Sequence, residues 1–185
     1  MLGGMPRGTY LHLESGIEEH FQCAPGPAGW RYFSESTDLT VDSRWRQIRV
    51  QLTTEGWQIR GGLAGRDLLW VRNDQEFSAD AYGFVADSPG FLVAVARSLR
   101  LAPGAYADVR LVQISGGSLA ARTVTQRWTL TSTDAHPTDL GALPVETYTV
   151  TDLETAESYE WHLAGDVVLA APDIELTSLE SPPSL

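Results

Sequence analysis

No lysine occurs in this sequence; its 13 basic residues are all arginine. Chemistry that needs a lysine amine is therefore excluded: Schiff-base catalysis, attachment of pyridoxal phosphate, and a phosphate loop ending in Gly-Lys. Cysteine is nearly absent as well. Cys23 stands alone, so no intrachain disulfide can form and nothing points to an oxidising compartment. Positive charge is scarce overall, with 13 basic against 24 acidic residues and a net charge of −11. Such a surface repels phosphate backbones and anionic headgroups, so neither nucleic acid nor a membrane surface is an expected partner.

Long apolar runs are missing too. The longest stretches are far too short to span a bilayer, and no membrane insertion is expected. Met1 to Ser15 lacks the charged start, apolar stretch and small-residue cleavage site of a secretory signal, so a cytoplasmic location is expected. Catalytic motifs are equally hard to find. His12, His20, His136 and His162 show no metal-ligand spacing, and each reads as a loop or satisfied core histidine. No Gly-x-Ser-x-Gly occurs, and Asp80 and Asp87 read as a solvated rim. No catalytic residue, metal or cofactor is expected. A hydrolase or isomerase using scattered Asp and His would gain support from His136 or His162 beside a carboxylate in a deep pocket, and lose it if all four histidines lay on the surface.

What is present is β patterning in a single domain over residues 1–185. Apolar residues make up 43% of the chain, enough for a substantial core. Alternation of period two predicts strands over Trp30–Glu35, Trp45–Leu52, Trp57–Gly61, Asp67–Arg72 and Glu76–Phe84. A second set follows over Ala107–Ile114, Thr123–Ser132, Val145–Asp152, Ser158–Leu163, Val167–Ala171 and Ile174–Leu179. Asp134–Thr138 reads as a separator, and Gly165-Asp166 as a hairpin turn. Between the sets, Asp87-Ser88-Pro89 predicts a helix start, because an acceptor side chain precedes a proline that needs no N–H there. Phe91, Val95 and Leu99 recur at helical spacing until Pro103-Gly104. Two meanders, about 29–86 and 105–179, are thus joined by a helical segment near 89–101.

Trp30, Trp45, Trp57, Trp70, Trp128 and Trp161 each fall in a different predicted strand, where they could fill a core or line a concave face. Trp45, Gln47, Arg49 and Gln51 share one predicted face, which suits either solvent or a ligand with polar and hydrocarbon parts. Arg44, Arg46 and Arg49 form the densest basic cluster. Paired with acids they would be surface ion pairs; unpaired in a cleft they would bind an anion.

Several short segments, in order, resemble the bacterial family described as glycolipid-binding and otherwise of unknown function. They are Val41-Asp42-Ser43-Arg44-Trp45-Arg46, Asp80-Ala81-Tyr82-Gly83-Phe84, Arg97-Ser98-Leu99-Arg100-Leu101, Gly104 with Val109-Arg110-Leu111-Val112, and Glu146-Thr147-Tyr148 with Tyr159-Glu160-Trp161 and Val168 to Pro172. Where that family carries a polar Thr-Asn-Thr-Leu-Pro segment, this chain has Gly90-Phe91-Leu92-Val93-Ala94-Val95. The resemblance implies a mainly β fold: a long curved antiparallel sheet forming an incomplete barrel with one short central helix, similar to bacterial lipoprotein carriers, and a homodimer. The expected function is non-enzymatic binding of an amphipathic ligand such as a glycolipid in the concave face, with Trp45, Arg46, Arg49, Trp57 and Tyr82 as ligand-binding candidates. The alternative is an interaction module, a homodimer formed through a sheet edge or the apolar helix face of Phe91, Val95 and Leu99.

Overall fold

Alternation of buried and exposed side chains persists through almost every strand of the computed structural model, which describes residues 5–185. The first run comprises β1 (Arg7–His12), β2 (Glu18–Gly26), β3 (Gly29–Phe33), β4 (Thr37–Asp42), β5 (Gln47–Thr54), β6 (Trp57–Ala64), β7 (Asp67–Arg72) and β8 (Gln75–Ala79). Then come β9 (Gly83–Val85) and α1 (Gly90–Leu99). The second run is β10 (Tyr106–Ser115), β11 (Ala120–Thr138), β12 (Gly141–Asp152), β13 (Ser158–Ala164), β14 (Val167–Ala171) and β15 (Ile174–Leu179). All belong to one 15-stranded sheet whose order ends in β8 on one side and β9 on the other. Neighbours are antiparallel except β9 and β10, and β1 pairs with β15 to join the two runs. The sheet is curved, and no backbone ladder closes it. The expected incomplete barrel is the fold.

The concave side is full. α1 packs against β4, β9 and β14, and its residues Gly90 to Ala96 are buried on every face, as for a helix that is apolar all round. Phe91 and Val95 therefore lie in the chain's own core, so the helix face expected as a docking surface is not presented. The sheet edge at β8 is unpaired among the described residues. Gly90 lies flat against Tyr32, where a Cβ would stand 2.5 Å from the ring's Cγ. Around the helix, aromatic rings from adjacent strands stack in series. Tyr10, Phe21 and Tyr32 follow at 4.5 and 5.8 Å, and Trp161 lies 4.8 Å from Tyr148 and 5.9 Å from Trp128.

Several local readings change. Asp134–Thr138, read as a separator, is the outer end of β11 and pairs with β12. The predicted strand Glu76–Phe84 splits into β8 and β9, which occupy opposite edges of the sheet. In β5, Ile48 is an extra residue between the pairs Val41–Gln47 and Thr40–Arg49. This bulge reverses the side-chain parity. Gln47 turns inward with Val50 and Leu52 while Ile48 and Arg49 both face out, so the expected common face of Trp45, Gln47, Arg49 and Gln51 does not exist.

The bulge places Gln47 where it closes the seam. Its Nε2 donates to Phe84 O at 2.9 Å and its Oε1 accepts from Phe84 N at 2.7 Å. One side-chain amide thus stands in for a strand partner along the β9 edge. At the other end of the seam, Thr54 Oγ1 donates to Gly117 O at 2.6 Å and Arg72 Nη2 to Ser118 O at 2.7 Å. No helix among the described residues is long and apolar enough to cross a membrane.

Candidate functional site

With the hollow filled, two ligand-sized clefts lie at its margins. At the N-terminal end of α1, a half-open cleft of about 520 Å³ is walled by Ile17, Leu52, Ile114 and Leu119 and floored by His12, Glu19 and Ser88. Glu19 is 5% exposed and is fully engaged. Its Oε1 meets His12 Nε2 at 3.0 Å, and its Oε2 accepts from Ser88 Oγ at 2.7 Å and from Tyr32 Oη. The hydrogen bond to Glu19 raises the His12 pKa against the opposing effect of burial. Ser88, expected to cap α1, instead gives its hydroxyl to Glu19, and α1 begins without a side-chain cap. This is a satisfied structural network, as the sequence suggested for His12. His136 is exposed, and His162 Nδ1 bonds Thr147 Oγ1 at 3.0 Å.

The C-terminal end of α1 opens into a second cleft of about 520 Å³, lined chiefly by Trp30, Trp45, Arg97, Pro144, Glu146 and Asp166. Trp45 stands in the β4–β5 turn with φ +65°, a conformation a bulky side chain rarely adopts. Asp42 enforces it. Its carbonyl accepts from Trp45 N at 2.9 Å, its Oδ1 from Arg44 N and Arg46 N at 2.9 and 3.0 Å, and its Oδ2 from Arg46 Nε at 2.7 Å. Burial pulls the Asp42 carboxyl up, but these donors outweigh it and hold it below the usual range. The turn therefore projects the Trp45 ring to 5.2 Å from Trp30, at a tilt of 41°.

Beneath the indoles lies Asp166, 4% exposed. Its Oδ2 accepts from Trp30 Nε1 at 3.0 Å and its Oδ1 from Ser184 N at 2.8 Å. Burial raises its pKa, against those two donors. Arg97, from the last turn of α1, donates Nη1 to Glu146 Oε1 at 2.7 Å and Nε to Gly165 O at 3.0 Å. A partly exposed indole, Trp45, backed by the buried Trp30, with a buried acceptor and a guanidinium–carboxylate pair, supplies elements that hold a polyhydroxylated ring beside an apolar group.

The residues expected at a common site are dispersed. Trp45 is in the indole cleft. Arg46 and Tyr82 line a shallow cleft of about 530 Å³ at the seam, with Arg66 and Arg110, and the Arg46 guanidinium is committed to Asp42. Arg49 points outward from β5. Trp57 lies under the Arg72 guanidinium, 3.7 Å from its ring centroid, and belongs to the seam. Asp166, Arg97 and Glu146 were not read as site residues. Arg97 and Glu146 each open a segment that carries the family resemblance, and Asp166 belongs to the Gly165-Asp166 turn, but neither signal marks a site.

No family model matches the chain, and no curated protein resembles it significantly. Among solved structures it is similar to the crystal structure of a DUF1089 family protein from Pseudomonas aeruginosa, with a TM-score of 0.56 and 18% identity over 91% of this chain and 86% of that one. At that identity the likeness speaks for the fold: the same sheet occurs in an uncharacterised bacterial family.

Proposed function

We propose that this chain is a non-enzymatic binding protein for an amphipathic molecule, a glycolipid being the ligand class best suited, and that the indole cleft receives its sugar ring. The carrying observation is Trp45. Holding a tryptophan at φ +65° costs on the order of 1–3 kcal/mol, and four hydrogen bonds to Asp42 maintain it. Other turns of the chain hold Leu119 and Ala156 in the same region, so what sets Trp45 apart is where its ring is aimed. Strain that aims an aromatic ring at a second indole and a buried carboxylate is a feature of binding sites. Because α1 fills the concave face, the ligand engages the rim of the hollow, with its hydrocarbon against Pro25 and Pro144.

Indole fluorescence during titration with an alkyl glucoside, kept below its micelle concentration, tests this reading. An alkyl sulfate of equal chain length and the free sugar serve as controls. The glucoside is expected to saturate the signal, the controls to bind more weakly, and Trp45→Gly to lose at least roughly tenfold in affinity while keeping its melting temperature. Equal affinity of Trp45→Gly and the parent protein, or no response to any amphiphile, overturns it.

A further inference from the structure

The indole cleft is already in contact with a piece of the same chain. After β15, the segment Ser181–Leu185 leaves the sheet and folds back over the Gly165-Asp166 turn. Ser184 N donates to Asp166 Oδ1 at 2.8 Å. Its carbonyl presses so closely on Gly165 that a Cβ there would lie 2.2 Å from Ser184 O and 3.1 Å from Pro183 Cβ. Gly165 thus serves twice, tolerating φ +58° and admitting the segment. Leu185 borders the cleft but is 82% exposed, so the segment covers the space without filling it.

We infer that Ser181–Leu185 is a resident peptide ligand of the indole cleft, docked through the Ser184 N–H on Asp166, and that an external ligand enters by displacing it. This inference rests on the proposed binding role of the cleft for its second half only; the docking of the segment stands by itself. The sequence suits the task. Pro182 and Pro183 preset an extended polyproline conformation, so little chain entropy is lost on docking against aromatic and proline side chains.

The attachment is also built to release. No sheet ladder holds the segment among the described residues, and its backbone hydrogen bond runs to a side chain, Asp166. The chemistry of the competitor follows. It must bring a hydrogen-bond donor to Asp166 Oδ1 in place of the Ser184 N–H, and a face that stacks on Trp45. A sugar hydroxyl and ring meet both requirements, whereas a bare hydrocarbon or a sulfate meets neither.

Ser184→Pro in the full chain tests this, because proline removes the one N–H in question and prolongs the extended conformation already set by Pro182-Pro183. We expect a shifted indole emission, saturable binding of the synthetic peptide Glu-Ser-Pro-Pro-Ser-Leu to the variant, and loss of that binding on adding Trp45→Gly. The parent protein should bind the same peptide roughly tenfold more weakly, because its own segment competes at high effective concentration. The alkyl glucoside should in turn bind the variant roughly tenfold more tightly than the parent. Unchanged emission with no peptide binding overturns the docking. Equal glucoside affinity for variant and parent overturns the displacement while leaving the glycolipid reading intact. Peptide binding with no glucoside response to either protein upholds the docked segment and removes the glycolipid reading.

Discussion

Gln47→Leu removes the amide that joins β5 to the β9 margin of the sheet while nearly preserving side-chain volume. Gln47 is 3% exposed and Phe84 fully buried, so water cannot replace what is lost. The Phe84 N–H and C=O, now bonded to Gln47 at 2.7 and 2.9 Å, would both be left unsatisfied. At about 1.5–2 kcal/mol for each stranded backbone group, the cost is about 3–4 kcal/mol. For a chain of this size that corresponds to a fall of roughly 10 °C in melting temperature. Differential scanning calorimetry measures the loss, and hydrogen exchange at the Phe84 amide localises it, since an opened seam lowers protection there first. Arg49→Ala, on the outward side of the same bulge, is the control and should stay within about 0.5 kcal/mol of the parent. If Gln47→Leu melts within about 2 °C of the parent and Phe84 remains protected, the seam is held by packing alone and the role given to the amide is wrong.

Two further outcomes follow from the same interior. The His12 pKa is raised above 6.5 by Glu19, so protonated His12 is favoured in the folded state. Its contribution is complete below about pH 6.5 and disappears as pH rises through the higher folded value. Melting temperatures recorded from about pH 5 to 9 should decline across that window, and His12→Asn should flatten the decline; an unchanged profile in the variant would place the titration elsewhere. Gly90→Ala sets a methyl 2.5 Å from the Tyr32 ring, a ring held on both sides by Phe21 and Trp30. Overpacking there should destabilise by about 1–3 kcal/mol in chemical denaturation, and a neutral result would show that the ring can shift.

Much of the architecture was legible because it is written locally. Asp67–Arg72, Val167–Ala171 and Ile174–Leu179 are strands with the predicted limits, since alternation bounded by turn residues requires no knowledge of partners. α1 was readable for the same reason. Two kinds of feature were not. The N-terminal strands β1 and β2, interrupted by charge and carrying Pro25 and Gly26, show little alternation, and their strand character comes from pairing with β15 and β3. The bulge at Ile48 is a property of register between β4 and β5, invisible in either strand alone, and it decides that Gln47 closes a seam instead of facing a ligand. The cleft was half readable. Trp45 stood out by its type, but its left-handed turn depends on Asp42, and Asp166 reaches Trp30 across 136 residues. Nothing within either segment announces that meeting.

The ladder between β1 and β15 also governs the order in which the molecule can be assembled. It pairs Gly8 with Leu179 at one end and His12 with Ile174 at the other, residues nearly the whole chain apart. During synthesis β1 emerges early and must wait, with one side of its backbone unanswered, until β15 leaves the ribosome. Closure entropy for so wide a loop is lost before any of the ladder's bonds is gained, which places this protein among slow folders whose late step is topological. Over that interval β1 is an exposed template for foreign strands. The acidic neighbours Glu18 and Glu19 on β2 are then its nearest guard.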